Sequence, residues 1–150
     1  MIHRTINIGE WEVDSFFCIT QYDESVLQRA LERIDAPISV IIRMREIAMD
    51  DEYNTGFTYS NKKQRRCVMV VGKSSSPSEF INTTMHEVRH VSDDIAIAEN
   101  ISLQGENVGY LQGFICEKLS DIIGRFICPC CNKPLLNKRT KEFNKRANIY

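Results

Sequence analysis

An α+β fold is what this sequence predicts, on three observations. The first half contains short runs rich in aromatic and β-branched residues, separated by polar and glycine-containing turns, as a small sheet requires. The second half holds two long stretches whose apolar residues recur every three or four positions, the mark of amphipathic helices. The 150 residues show no internal repeat and no Pro/Gly/Ser-rich linker, so they make most simply one domain, large enough to bury a core of its own.

The elements follow in order. Residues 11–20, WEVDSFFCIT, predict a strand. Over 23–35, Val26, Leu27, Ala30, Leu31 and Ile34 fall at helical spacing behind Asp23, with Pro37 just beyond, so a helix is expected. The apolar run ISVIIRM, 38–44, fits a strand or the start of a helix. Two further strands are expected at about 55–60 and 66–72, joined by a polar turn at Asn61-Lys62-Lys63 and ended by Gly72 and the serines after it. Alternation across 65–73 is weak, which suits a strand covered on both faces as well as one at or beside an open sheet edge. Ser76-Pro77-Ser78-Glu79 is a capping box with proline at the first helical position. From there Ile81, Met85, Val88, Val91, Ile95 and Ala98 predict a helix over 77–98. ENISLQG breaks it, and a second helix is expected from about Gly105 to Phe126, stopped by Cys128-Pro129-Cys130-Cys131. Residues 137–150 are polar enough for a frayed tail or a short surface helix.

Composition narrows the classes. Hydrophobic content of 43% and charged content of 26% are those of a soluble globular protein, and a formal net charge of −1 argues against a chain that coats nucleic acid over its whole surface. The charge is uneven: between 132 and 150, Lys133, Lys138, Arg139, Lys141, Lys145 and Arg146 face only Glu142. This basic tail, set off from a domain over 1–131, could touch nucleic acid or an acidic partner; a solvated end is the ordinary reading. The N-terminal residues lack a signal-peptide core and no run approaches a membrane span, so a cytoplasmic protein with no membrane partner is expected. Cys18, Cys67, Cys116, Cys128, Cys130 and Cys131 are then expected to be thiols or metal ligands. Cys18 and Cys67 fall in predicted strands and read as small buried hydrophobes. Cys128, Cys130 and Cys131 look like one knuckle of a zinc ribbon, which needs two; the missing ligands would come from Cys116 or a second copy, or the three are simply reduced. His3 is expected to be exposed.

The chemistry concentrates in His86-Glu87-Val88-Arg89-His90. Residues four apart share a helix face, so His86 and His90 can aim two imidazoles at one ion, and neutral imidazole suits zinc. Glu87, about 100° round the helix, is placed to reach a water at that ion and act as a base, the arrangement of a peptide-bond hydrolase. An amphipathic helix can spell this pattern by accident; against that, the motif is mid-helix, and Val88 lies on the core stripe while both histidines lie off it. A third protein ligand is needed. Where a longer motif, H-E-x-x-H-x-x-G-x-x-H, has glycine and histidine, this chain has Asp93 and Ala96, so the third ligand is sought among carboxylates. Glu106, near the start of the next helix, is preferred over Asp94, because 86, 90 and 94 form a row that converges poorly on one ion. Asp94 or Asp93 would then orient a ligand histidine.

Three stretches, NTGFTYSN, VMVVGKSSSPSEFINTTMHEVRHVSDDIA and GENVGYLQGFI, together resemble a family of small zincin-like proteins from gut bacteria and their phages, over roughly residues 10–131. The resemblance implies a minimal zincin-like domain with a small antiparallel or mixed sheet packed on an active-site helix and a second C-terminal helix. It implies zinc on His86, His90 and Glu106, in the manner of glutamate zincins, with Glu87 as base. Tyr110 sits where such proteins carry the tyrosine of an E-x-x-A-Y stretch, here with Gly109 for the alanine, and would donate to the reacting oxygen or lie in the core. In zincins an edge strand beside the active helix pairs with an extended substrate; residues 65–73 would supply that edge or lie next to it. The expected function is zinc-dependent hydrolysis of a peptide or protein substrate. The rivals are a non-catalytic zinc scaffold, as a virion or host-interaction component, and a nucleic-acid-associated factor using the cysteines and the basic tail.

Overall fold

Two antiparallel hairpins joined side by side make the sheet. In the computed structural model, which describes residues 1–49 and 53–127, strands β1 (Ile2–Ile8) and β2 (Trp11–Phe17) form the first hairpin, and β3 (Gly56–Asn61) and β4 (Arg66–Val71) the second. The order is β1-β2-β4-β3, with β2 and β4 parallel and the other pairs antiparallel. Helices α1 (Glu24–Arg33) and α2 (Ile38–Met49) lie between the hairpins in sequence, and α3 (Pro77–Ala98) and α4 (Glu106–Ile127) follow them. The expected α+β class therefore holds, with a mixed four-stranded sheet and four α-helices among the described residues. The cysteine cluster at Cys128, Cys130 and Cys131 and the basic tail, 132–150, lie outside those residues.

Alternation along the strands divides the core in two. Ile6, Ile8, Trp11, Val13, Phe17, Cys67, Met69 and Val71 face α3 and α4. Phe16, Phe57, Val68 and Val70 face α1 and α2, meeting Leu27, Leu31, Ile41 and Met44. The ambiguous run at 38–44 is thus a helix: Ile41, Met44 and Ala48 bury at a spacing of three and four, and the Pro37 carbonyl accepts the Val40 and Ile41 amides at the start. Strand β4 is covered on both faces and paired on both sides, which explains its weak alternation. It is therefore not an edge; β3, its neighbour, is.

Strand β1 was not anticipated from the sequence. Its inward residues Ile6 and Ile8 are separated by polar outward ones, and its first half is half-covered, so the run carries little apolar signal. His3 is half-exposed as expected, yet it stacks on Phe16 at 4.4 Å and meets Asp14 at 3.0 Å. Cys67 is buried; Cys18 is not the strand residue expected, since β2 ends at Phe17 and Cys18 follows with φ 53° and partial exposure. No described helix is long and apolar enough to cross a membrane.

Candidate metal centre

Helix α3 starts where its sequence says it should: Pro77 opens it and the Ser76 hydroxyl accepts the Glu79 amide at 3.2 Å. Phe80, Val88, Val91 and Ile95 anchor it to the sheet and to α4. This fixes its rotation. His86 and His90 are turned outward and exposed, and Glu87 turns toward β3 with only 3% of its surface accessible.

The two rings converge. Nε2 of His86 lies 3.0 Å from Nε2 of His90, with the rings edge-on and their centroids 4.6 Å apart. A tetrahedral zinc with bonds of about 2.0–2.1 Å holds two nitrogens about 3.3 Å apart. A few tenths of an ångström of opening would admit the ion, so the pair fits.

Glu87 is seated by β3. Its Oε2 accepts from Thr58 Oγ1 at 2.8 Å, and the same hydroxyl lies 3.4 Å from the Glu87 carbonyl. Gly56 faces the carboxylate from one residue pair earlier on the strand. A Cβ there would stand 2.9 Å from Glu87 Cγ, 2.9 Å from Oε1 and 2.8 Å from the Val70 carbonyl oxygen, so only glycine leaves the space. Burial pushes the Glu87 carboxyl up from its ordinary value; the Thr58 hydrogen bond and the nearby His90, His86 and Arg43 oppose that shift.

A cleft runs past this group between α2 and α3, with β3 along its floor. One part, about 490 Å³, is lined by residues including Asn54, Thr55, Asn82 and Thr83; the other, about 390 Å³, by Thr58, His90 and Asp94 among others. Arg43, Gly56, His86 and Glu87 line both.

The remaining expected residues are placed differently. Tyr110 donates to Glu106 Oε2 at 3.3 Å, both are exposed on the first turns of α4, and neither lines the cleft. Asp94 does line it, one turn beyond His90, and is paired with Lys62 at 3.0 Å. Asp93 pairs with Arg89 at 2.8 Å. Among the described residues no three His, Cys, Asp or Glu side chains form a group that could hold a metal. The structure thus brings together His86, His90 and Glu87, and among the described residues groups no further His, Cys, Asp or Glu with them as a metal-holding set. It adds Gly56, Thr58 and Arg43, which sequence reading did not single out. Of these, Gly56 alone carried a signal, a glycine opening a strand where another group approaches closely.

No family model, no curated protein and no solved structure matches the chain.

Proposed function

We propose that the chain is a zinc-dependent peptidase of the zincin type. The observation that carries this reading is the 3.0 Å approach of two exposed imidazole nitrogens directly beside a buried, hydrogen-bonded carboxylate. His86 and His90 would hold the ion, and the third position falls to a carboxylate. To take it, Glu106 would have to leave Tyr110, and Asp94, already in the cleft, would have to leave Lys62. Zinc at this position supplies a Lewis acid that polarises a carbonyl and lowers the pKa of water to about 7.

The chain's own residues do the rest. Glu87 takes a proton from the attacking water, and its carboxyl then returns that proton to the leaving amine as the C–N bond breaks, so the group ends as it began. Thr58 holds the carboxylate at a fixed rotamer while this happens. Strand β3, at the sheet edge and on the cleft floor, gives an extended peptide a backbone with which to pair.

A non-catalytic zinc scaffold is the second reading, favoured by one observation: Glu87 is buried, held by Thr58 and packed against Gly56, as a carboxylate with a purely structural role is. Metal analysis and peptide hydrolysis by Glu87→Gln decide between the two. A peptidase keeps its zinc in that variant and loses hydrolysis, whereas a scaffold shows zinc and no hydrolysis in either form. Loss of zinc in Glu106→Gln or in Asp94→Asn identifies the third ligand. Zinc content unchanged in His86→Ala/His90→Ala would end both readings.

A further inference from the structure

We propose that Arg43 reads a carboxylate on the substrate, in the same cleft as the bond that is cut. The inference rests on the peptidase reading and adds the class of substrate to it. Arg43 lies on α2, the wall opposite the histidines, and lines both parts of the cleft together with His86 and Glu87. Anything lying across Glu87 therefore passes the guanidinium.

Among the described residues its charge is not taken up by an ion pair. Arg45, Arg65, Arg66 and Arg89 are each held by a carboxylate, whereas Arg43 is exposed and makes no ion pair among the described residues. Among the described residues the cleft's carboxylates make no ion pair with it, although the Glu87 carboxyl feels its charge. Asp94 is paired with Lys62; Glu87 is turned down onto Thr58 and Gly56; and Glu46, one turn along α2, lines only the larger part. The rest of the larger part's lining includes uncharged Asn54, Thr55, Asn82 and Thr83, which accept a peptide without competing for the arginine. A planar guanidinium with paired N–H donors matches a carboxylate better than any neutral side chain. That carboxylate is an Asp or Glu side chain or the substrate's own C-terminus.

The test uses the full-length, zinc-loaded Glu87→Gln protein, so that binding is read without turnover. Fluorescein-labelled hexapeptides of one sequence carry Glu or Gln at the central position and a free or amidated C-terminus, and anisotropy gives their Kd. The expected result is about tenfold tighter binding of the carboxylate-bearing peptides, a gap that Arg43→Gln abolishes and Arg43→Lys only narrows. Which arm shows the gap, side chain or C-terminus, tells an endopeptidase preference from a C-terminal one. An equal preference with and without Arg43, or no preference at all, overturns the proposal while leaving the peptidase reading intact if Glu87-containing protein cuts the neutral peptides. If no peptide binds and none is cut, the peptidase reading falls first and this proposal with it.

Discussion

Gly56→Ala is the sharpest probe of how the cleft floor is built. Alanine in place of glycine ordinarily stabilises by about 0.4–1 kcal/mol, because it narrows the unfolded ensemble. At Gly56 the backbone has no positive φ that would forbid a side chain, so that gain should be available. The new methyl would nevertheless sit 2.9 Å from both Cγ and Oε1 of Glu87 and 2.8 Å from the Val70 carbonyl oxygen. Overpacking of this kind costs about 1–3 kcal/mol, which outweighs the entropic gain. Net of that gain the loss is up to about 2.6 kcal/mol, which in a chain of this size lowers Tm by up to roughly 10 °C. Thermal melts followed by far-ultraviolet circular dichroism, in a chelator so that metal binding adds nothing, measure it. Gly113 on α4 is the contrast: a Cβ there meets nothing within 4 Å, so Gly113→Ala should raise stability by about 0.8–1 kcal/mol. Glu87→Ala removes two of the three obstructing atoms, and in that background the Gly56→Ala penalty should shrink by about 1 kcal/mol. If Gly56→Ala melts at or above the parent, or costs the same with and without the glutamate, then the glycine is not there to seat the carboxylate.

Two further outcomes are expected. The Cys67 thiol, 1% exposed and pushed by burial up to about 12, should resist iodoacetamide in the native protein at pH 8 and label only on unfolding, as peptide mapping would show. Because its folded value lies above the ordinary 9.0, its contribution is complete below that value and is lost as pH rises toward 12; Cys67→Ala should flatten that alkaline limb in denaturant titrations, and an unchanged slope would count against it. Asp14 accepts from Thr5 at 2.6 Å, from Arg33 at 2.7 Å and from His3 at 3.0 Å, so Asp14→Ala should lower stability by about 2–4 kcal/mol, with Asp14→Asn losing less. A loss under about 0.5 kcal/mol, read from the urea midpoint, would show that these bonds only replace bonds to water.

The helical half was the most legible part of the chain. The Ser76 cap and the three-and-four rhythm of α3 give its limits and its rotation, and with them the outward histidines. Helix α2 was half-legible, because a continuous apolar run has no period of its own; Ile42 is exposed amid buried Ile41 and Met44 only because the α1–α2 layer lies on one side. Strand β1 was hidden because three isoleucines among polar residues make a strand only when β2 lies beside them. At the site, the H-E-x-x-H spacing foretold the paired imidazoles and the offset of Glu87. It said nothing of Thr58, Gly56 or Arg43, which come from segments distant along the chain and meet Glu87 only through the pairing of β3 and the packing of α2. The contact of Glu106 with Tyr110 is a local one, four residues apart on α4, whereas where that first turn lies relative to the histidines depends on how α4 docks on α3.

The parallel pairing of β2 with β4 sets an order of assembly. Each hairpin closes a short local loop and can zip alone in about 1–10 μs, but the seam between them must bring Glu12 to Arg66 and Phe17 to Val71, residues far apart along the chain. That long closure is the slow event expected of distant strand pairing. Until it happens β4 has no neighbour on one flank, and α3 has no finished platform on which to settle. The two imidazoles can approach within one helical turn early, but the glutamate between them finds its berth only after that helix docks.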